Sequence, residues 1–121
     1  LIDEETNLIV TSEHHSPPPG WYHHAWELIQ DTPYSFASAD EMSCEAFRGS
    51  TDSPLFMMNH WLSTPLPTET GAMEVNASAV LGARTERCTQ ERNRHVNIVA
   101  VDFYNHGDLF EVVDGLNGIT P

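Results

Sequence analysis

The chain has 121 residues, with 18 acidic side chains against 5 basic ones, all arginine, for a formal net charge of −13. Affinity for nucleic acid rests on releasing counterions with Lys and Arg, so this field excludes a phosphate-backbone contact surface and no nucleic-acid partner is expected. With 40% apolar residues and three tryptophans, the chain still has enough to bury a core, and its length is that of one small domain or part of a larger one.

No run reaches the roughly 18 to 20 apolar residues of a membrane span. The least charged stretch, Ser53 to Thr68, is broken by Asn59, His60, Pro65 and Pro67. The start, with Asp3, Glu4 and Glu5, lacks the basic-then-apolar pattern of a signal peptide. The opening reads as that of a mature or excised fragment whose true N-terminus lies elsewhere.

In chain order, Leu8–Thr11 predicts a short strand, stopped by the stiff Ser16-Pro17-Pro18-Pro19-Gly20 segment. Trp21–Asp31 is compatible with a helical face. The Thr32-Pro33 step, however, biases what precedes it toward extended backbone, so a strand is assigned over about Glu27 to Asp31. Tyr34–Pro54 reads as a long ordered loop, and loops of that length are usually functional. Leu55–Leu62 predicts a buried strand. Met73–Asn93 predicts the clearest helix, with Ala77, Val80, Leu81, Arg84 and Cys88 spaced by threes and fours. Four of the five arginines fall between positions 84 and 94, and the simplest account of them is stabilisation of the helix C-terminal half. Val96–Tyr104 predicts a covered parallel strand, and Gly107-Asp108 opens a last helix that Asn117-Gly118 stops. Alternating strands and helices imply an α/β fold with a parallel sheet.

The predicted strands end in residues able to do chemistry: Glu13 and His14, Asp31, Asn59 and His60, then Asp102 and Tyr104. In parallel α/β folds sites are built at this rim. The two-residue period puts Asp102 on the same face as Ile98 and Ala100, aimed inward, where a carboxylate needs a partner. The alternative is a structural Asp that caps the following helix. Seven histidines invite a metal reading, but His14-His15 and His23-His24 are adjacent pairs that point to opposite faces, and no HExxH or CxxC spacing occurs. No metal site is assigned. Cys44 and Cys88 fit either a disulfide or two buried thiols. Asn76-Ala77-Ser78 is a formal N-glycosylation triplet inside the predicted helix.

The segments WELIQDTPYSF, LFMMNHWLSTP and NIVAVDFYNHGDLFEVVDGLNG, in that order, resemble the C-terminal half of the phosphatidylinositol-specific phospholipase C X-domain family, and within it the single-domain PLC-like phosphodiesterases. The resemblance runs from Leu8 to Gly118. It implies the C-terminal half, about four strands, of a distorted TIM-type (β/α)8 barrel, since a whole barrel needs about 250 residues. The implied reaction is cleavage of a phosphodiester of a phosphoinositide-type lipid or related diester by a histidine general base and a histidine general acid. Both histidines belong to the absent N-terminal half, and none of the histidines here takes those roles.

What the resemblance carries over is narrower. Asp102 matches the aspartate that orients the general base. Asp31 matches a ligand of the inositol hydroxyls, Tyr34 lies near the ring-stacking tyrosine, and Glu13 stands where some members have an arginine. Asn59 and Tyr104 complete the expected substrate-binding rim. The resemblance further implies an exported protein, a transient membrane surface as partner, and a Cys44–Cys88 disulfide. No cofactor is implied in this segment, and calcium in the complete protein stays open, its ligands coming from the missing half. Two other readings compete with the enzyme: a non-catalytic inositol-phosphate or sugar-binding module from the same barrel, and a small α/β domain without a site. Paired histidines upstream of Leu1 would favour the enzyme.

Overall fold

The computed structural model describes residues 8–14 and 22–119, so the expected Ser16–Gly20 stop lies outside the described residues. The elements are β1 (Thr11–Ser12), β2 (His23–His24), α1 (Ala25–Leu28), β3 (Ile29–Asp31), β4 (Leu55–His60), α2 (Glu69–Val75), α3 (Ser78–Arg92), β5 (Ile98–Val101) and α4 (Leu109–Leu116). All strand pairing is parallel, in a two-stranded sheet β1-β2 and a three-stranded sheet β3-β4-β5. The α/β class with a parallel sheet is as expected. The chain order of the later elements is too, although the strands fall into two sheets and not into one run of four.

The registers Asp31↔Met57, Met57↔Ile98 and Asn59↔Ala100 fix two faces of the larger sheet. Gln30, Phe56, Met58 and Val99 point toward the helices, where Phe56 and Met58 pack with Leu81, Cys88 and Val96 in the main core, covered by Leu109 and Val112 of α4. Helix α3 buries Leu81, Arg84, Thr85 and Cys88 along the stripe that the three-and-four spacing marks.

Strand β1 covers Thr11–Ser12 and not Leu8–Thr11, β4 ends at His60 and not at Leu62, and four further boundaries differ from those expected. The predicted helix 73–93 is two helices, because Ala77, between them, leaves helical geometry and is extended at ψ 140°. Thr68 caps α2 by accepting the Gly71 N–H at 3.0 Å, so the helical region starts earlier than its apolar pattern suggests. The 27–31 segment is a single helical turn followed by three strand residues. Strand β5 stops at Val101, short of Tyr104, because Phe103 takes a left-handed backbone conformation at φ 49°.

The long loop between β3 and β4 is ordered, containing only one 3-10 turn at Ala39–Glu41. It carries its own small core, in which Phe36 and Met42 pack with Val75. It also covers the outer edge of β3, since Asp31 donates its N–H to the Arg48 carbonyl and accepts that of Phe47, both at 3.0 Å. Gly49 makes that approach possible: it sits at φ 79°, and a Cβ there would lie 2.0 Å from the Ile29 carbonyl oxygen.

Cys44 and Cys88 form a disulfide that ties the loop to α3 across 44 residues of sequence. Such a bond is compatible with an extracellular protein. In the chain-entropy account, closing a loop of that length stabilises the fold by about 4 kcal/mol. Alkylation of the native protein without reductant is therefore expected to leave its intact mass unchanged, and Cys44→Ala/Cys88→Ala to unfold at distinctly lower denaturant. Two freely alkylated thiols in the native protein would remove this staple.

The arginines near the end of α3 do more than stabilise the helix, a local role that Arg92 in its last turn and the Arg87–Glu91 pair at 3.8 Å still fit. Arg84 is buried, Arg87 donates to the Met42 carbonyl, and Arg92 donates to the Cys44 carbonyl at 3.2 Å and to the Gln30 side chain. Arg94 donates to the Ser53 carbonyl. These side chains reach backward over the loop and hold its carbonyls, a tertiary role that charge position along a helix does not reveal.

Candidate functional site

At the C-terminal ends of β3 and β4 the face away from the helices carries Asp31, Met57 and Asn59, with Ala100 of β5 beside Asn59. Asp31 is fully buried. Its Oδ2 accepts from Arg48 Nε at 2.9 Å, Arg48 Nη2 at 2.5 Å and Asn59 Nδ2 at 3.0 Å, while Oδ1 accepts the Arg48 backbone N–H at 2.8 Å. A buried carboxylate is tolerated only when paired and hydrogen-bonded, and here four donors meet its two oxygens.

Arg48 is the member of this group that meets solvent, its side chain being 29% exposed against 0% for Asp31. Its guanidinium lies 4.0 Å from the Trp26 ring centroid and 4.8 Å from that of Tyr34, and its Nη1 donates to Glu13 Oε1 at 3.1 Å. Tyr34 in turn meets Phe47 edge-on at 5.4 Å and stacks on Trp61 at 6.2 Å. The planar guanidinium is thus held in one orientation by two bonds to a single carboxylate oxygen and by two ring faces, so its remaining exposed surface is preorganised. Asn59 stands behind this layer, 1% exposed, with its amide also donating to the Thr32 carbonyl at 2.6 Å.

A second polar group backs the rim from the helix side. His60 is fully buried, with Nδ1 3.1 Å from Arg84 Nη1 and Nε2 2.8 Å from the Val75 carbonyl. An arginine can only donate, so Nδ1 is the acceptor and the Nε2–H donates to Val75. Burial, followed by the Arg84 charge, holds His60 down to about 4 against the Val75 bond that favours protonation. Arg84 donates further to the Asn59 carbonyl at 2.6 Å and the Ser43 carbonyl at 2.8 Å; burial and neighbouring Arg87 lower it to about 10, which leaves it charged at neutral pH.

This pair makes stability depend on pH. Above pH 6.5 the imidazole is neutral in both states. Below it the unfolded chain binds a proton that the folded protein refuses until about pH 4, so stability falls as pH drops through that window. The depression from 6.5 to about 4 is worth about 3 kcal/mol. Denaturant titrations of the complete protein between pH 7 and 4 should show this loss, and His60→Gln should show a flatter profile. Identical profiles would remove His60 as the source.

Asp102 follows β5 by one residue and is partly buried. Among the described residues its carboxylate engages no hydrogen bond or ion pair, while its carbonyl accepts from Asn76 Nδ2 at 3.0 Å. The helix N-cap that it might have supplied is Asp108. Tyr104 is 63% exposed and meets Phe110 of α4 edge-on at 6.3 Å. The structure thus gathers Asp31, Asn59, Tyr34 and Glu13 around Arg48, and leaves Tyr104 apart. Sequence reasoning missed Arg48, Trp26 and Asn76. A lone arginine inside a long loop of a strongly acidic chain was the one available signal for the first. Among the described residues no group of three or more His, Cys, Asp or Glu could hold a metal ion, and no helix is long and apolar enough to cross a membrane.

The PI-PLC X family model matches residues 1–117 of this chain. A curated relative, PI-PLC X domain-containing protein 1 of Arthroderma benhamiae, is 27% identical over 100 residues, covering 74% of this chain. The chain spans 33% of that relative's length. No solved structure matches.

Proposed function

We propose, since this chain belongs to the PI-PLC X family, that it is the substrate-binding and base-orienting part of a phosphodiesterase acting on a phosphoinositide-type lipid or a related diester. The observation that carries this reading is the Arg48 group. A preorganised guanidinium flanked by aromatic faces at a parallel-sheet rim suits a polyhydroxylated, anionic head group. Arg48 and Tyr34 would meet the head group, Glu13 would bound it, and Asp31 and Asn59 would hold Arg48 in place. Asp102, one residue past the end of β5, would orient a histidine general base supplied from elsewhere in the polypeptide.

The sheet would then be the later half of a distorted TIM-type barrel. The outer edge of β3 is covered by Phe47 and Arg48, whereas β5 pairs only with β4 among the described residues. Barrel closure would therefore use the β5 edge, where the upstream half supplies the next strand. An exported enzyme that works transiently at a membrane surface fits the disulfide and the exposed aromatic rim. Any calcium in the complete protein would take its ligands from outside this segment.

Turnover of phosphatidylinositol and glycerophosphoinositol by the complete protein tests the reading, with the 121-residue segment alone expected to be inactive. Arg48→Gln should raise KM by about 10- to 100-fold, the worth of a lost hydrogen bond from a charged donor, and change kcat less. Head-group binding without turnover of either substrate would instead establish the non-catalytic module.

A further inference from the structure

The junction between α2 and α3 is pinned to the turn after β5 by one side chain. Asn76 is fully buried, and its Nδ2 donates to the carbonyls of Asp102 at 3.0 Å and His106 at 3.1 Å. Its own carbonyl accepts the Asp108 N–H at 2.9 Å, and the Asp108 carboxylate accepts the Ser78 N–H at 2.8 Å. Gly107, at φ 84°, seats the turn so closely that a Cβ there would lie 2.6 Å from Asn76 Cβ. Phe103, the left-handed residue, falls between the two carbonyls that Asn76 holds. Backbone in that region persists only where its surroundings over-determine it, and here they do.

The amide orientation is settled by chemistry. Turned over, its oxygen would face two carbonyl oxygens, so the nitrogen must point at them, and Oδ1 is left buried without a partner among the described residues. A side chain that leaves its own acceptor unpaired in order to donate twice serves the turn and not itself.

We infer that Asn76 is a positioning residue: it fixes the backbone at Asp102 and so aims that carboxylate over the inner face of the sheet. The Asn76-Ala77-Ser78 triplet is in consequence closed to glycosylation in the folded protein, because the nitrogen that would carry the glycan is committed. The catalytic half of the inference rests on the role proposed above for Asp102; the clamp itself does not.

The test uses the complete protein, with amide exchange of residues 102–108 and steady-state kinetics measured side by side. Asn76→Ala should speed exchange in that segment and lower kcat about 10²-fold with KM little changed, the scale of a misplaced catalytic group. Added to Asp102→Asn it should cost little more, because both act through one carboxylate. Gly107→Ala, which pushes the turn off Asn76 from the other side, should repeat the pattern. Ser78→Ala destroys the triplet but keeps the backbone N–H, and should leave both readouts and the intact mass after secretion unchanged apart from the substitution itself. Unaltered exchange in Asn76→Ala, a glycan on Asn76 of the folded protein, or fully additive losses in the double variant would each overturn the inference. If Asp102→Asn itself left kcat untouched, the catalytic reading would fall, and the exchange data alone would decide for or against the clamp.

Discussion

Asp102→Asn in the complete protein is expected to fold normally and to turn over about 10²- to 10⁴-fold more slowly, the usual scale of general-base assistance. The reason lies in the chemistry of an imidazole base. When a substrate hydroxyl loses its proton to histidine, an imidazolium forms, and a carboxylate behind it stabilises that charge and fixes the tautomer that presents a lone pair to substrate. Asparagine keeps the shape and loses the charge. Because the interaction grows as charge develops, the loss falls on kcat and leaves KM nearly unchanged. Asp31→Asn makes the contrast. Its carboxylate holds Arg48 and is shielded from solvent, so weakening it should loosen Arg48 and raise KM. A folded Asp102→Asn enzyme with near-normal kcat would return Asp102 to a structural role.

How far the sequence reveals this arrangement differs from element to element. The shared face of Ile98 and Ala100 agrees with the observed register, because strand alternation is a local property and Met57↔Ile98 and Asn59↔Ala100 continue it, whereas Asp102 lies one residue past the end of β5. The Cys44–Cys88 bond, implied only by resemblance, is present. The break at Asn76 was hidden, since nothing in the apolar spacing of Ala77, Val80 and Leu81 marks it. It arises from a tertiary demand, the two carbonyls beyond β5 that the amide serves. The covering of β3 by its own following loop was equally hidden, as it depends on Gly49 allowing a backbone approach made 20 residues downstream of the strand's first residue, Ile29. Arg48 escaped notice for a related reason: its importance comes from Asp31, Trp26 and Tyr34, brought around it by that same loop path.

The second large effect is expected at Arg84, and it separates two explanations of one residue. If this arginine only complemented the helix dipole, Arg84→Met would cost about 0.3–1 kcal/mol. The observed surroundings predict far more. Arg84 supplies donors to the buried carbonyl of Asn59, the part-buried carbonyl of Ser43 and the Nδ1 of His60, and among the described residues no carboxylate within ion-pair distance shares the work. Methionine fills much of the space but leaves these acceptors unsatisfied, at about 1–3 kcal/mol for each that water cannot reach. A loss of about 3–5 kcal/mol in denaturant titrations of the complete protein follows. Arg84→Lys should fall between, since one ammonium keeps the charge but cannot span acceptors set on opposite sides of a planar fork. The His60 profile supplies an independent readout. With the Arg84 charge removed, one cause of the depressed His60 protonation is gone, so the acid-induced loss of stability should begin at the same pH of about 6.5 and end above pH 4, with a smaller total. A helix-dipole cation would leave that profile unmoved. The signal was present in the sequence all along: Arg84 sits three residues after Leu81 and four before Cys88, on the apolar stripe, and a charge on a core-facing stripe has to be paid for by partners inside the protein.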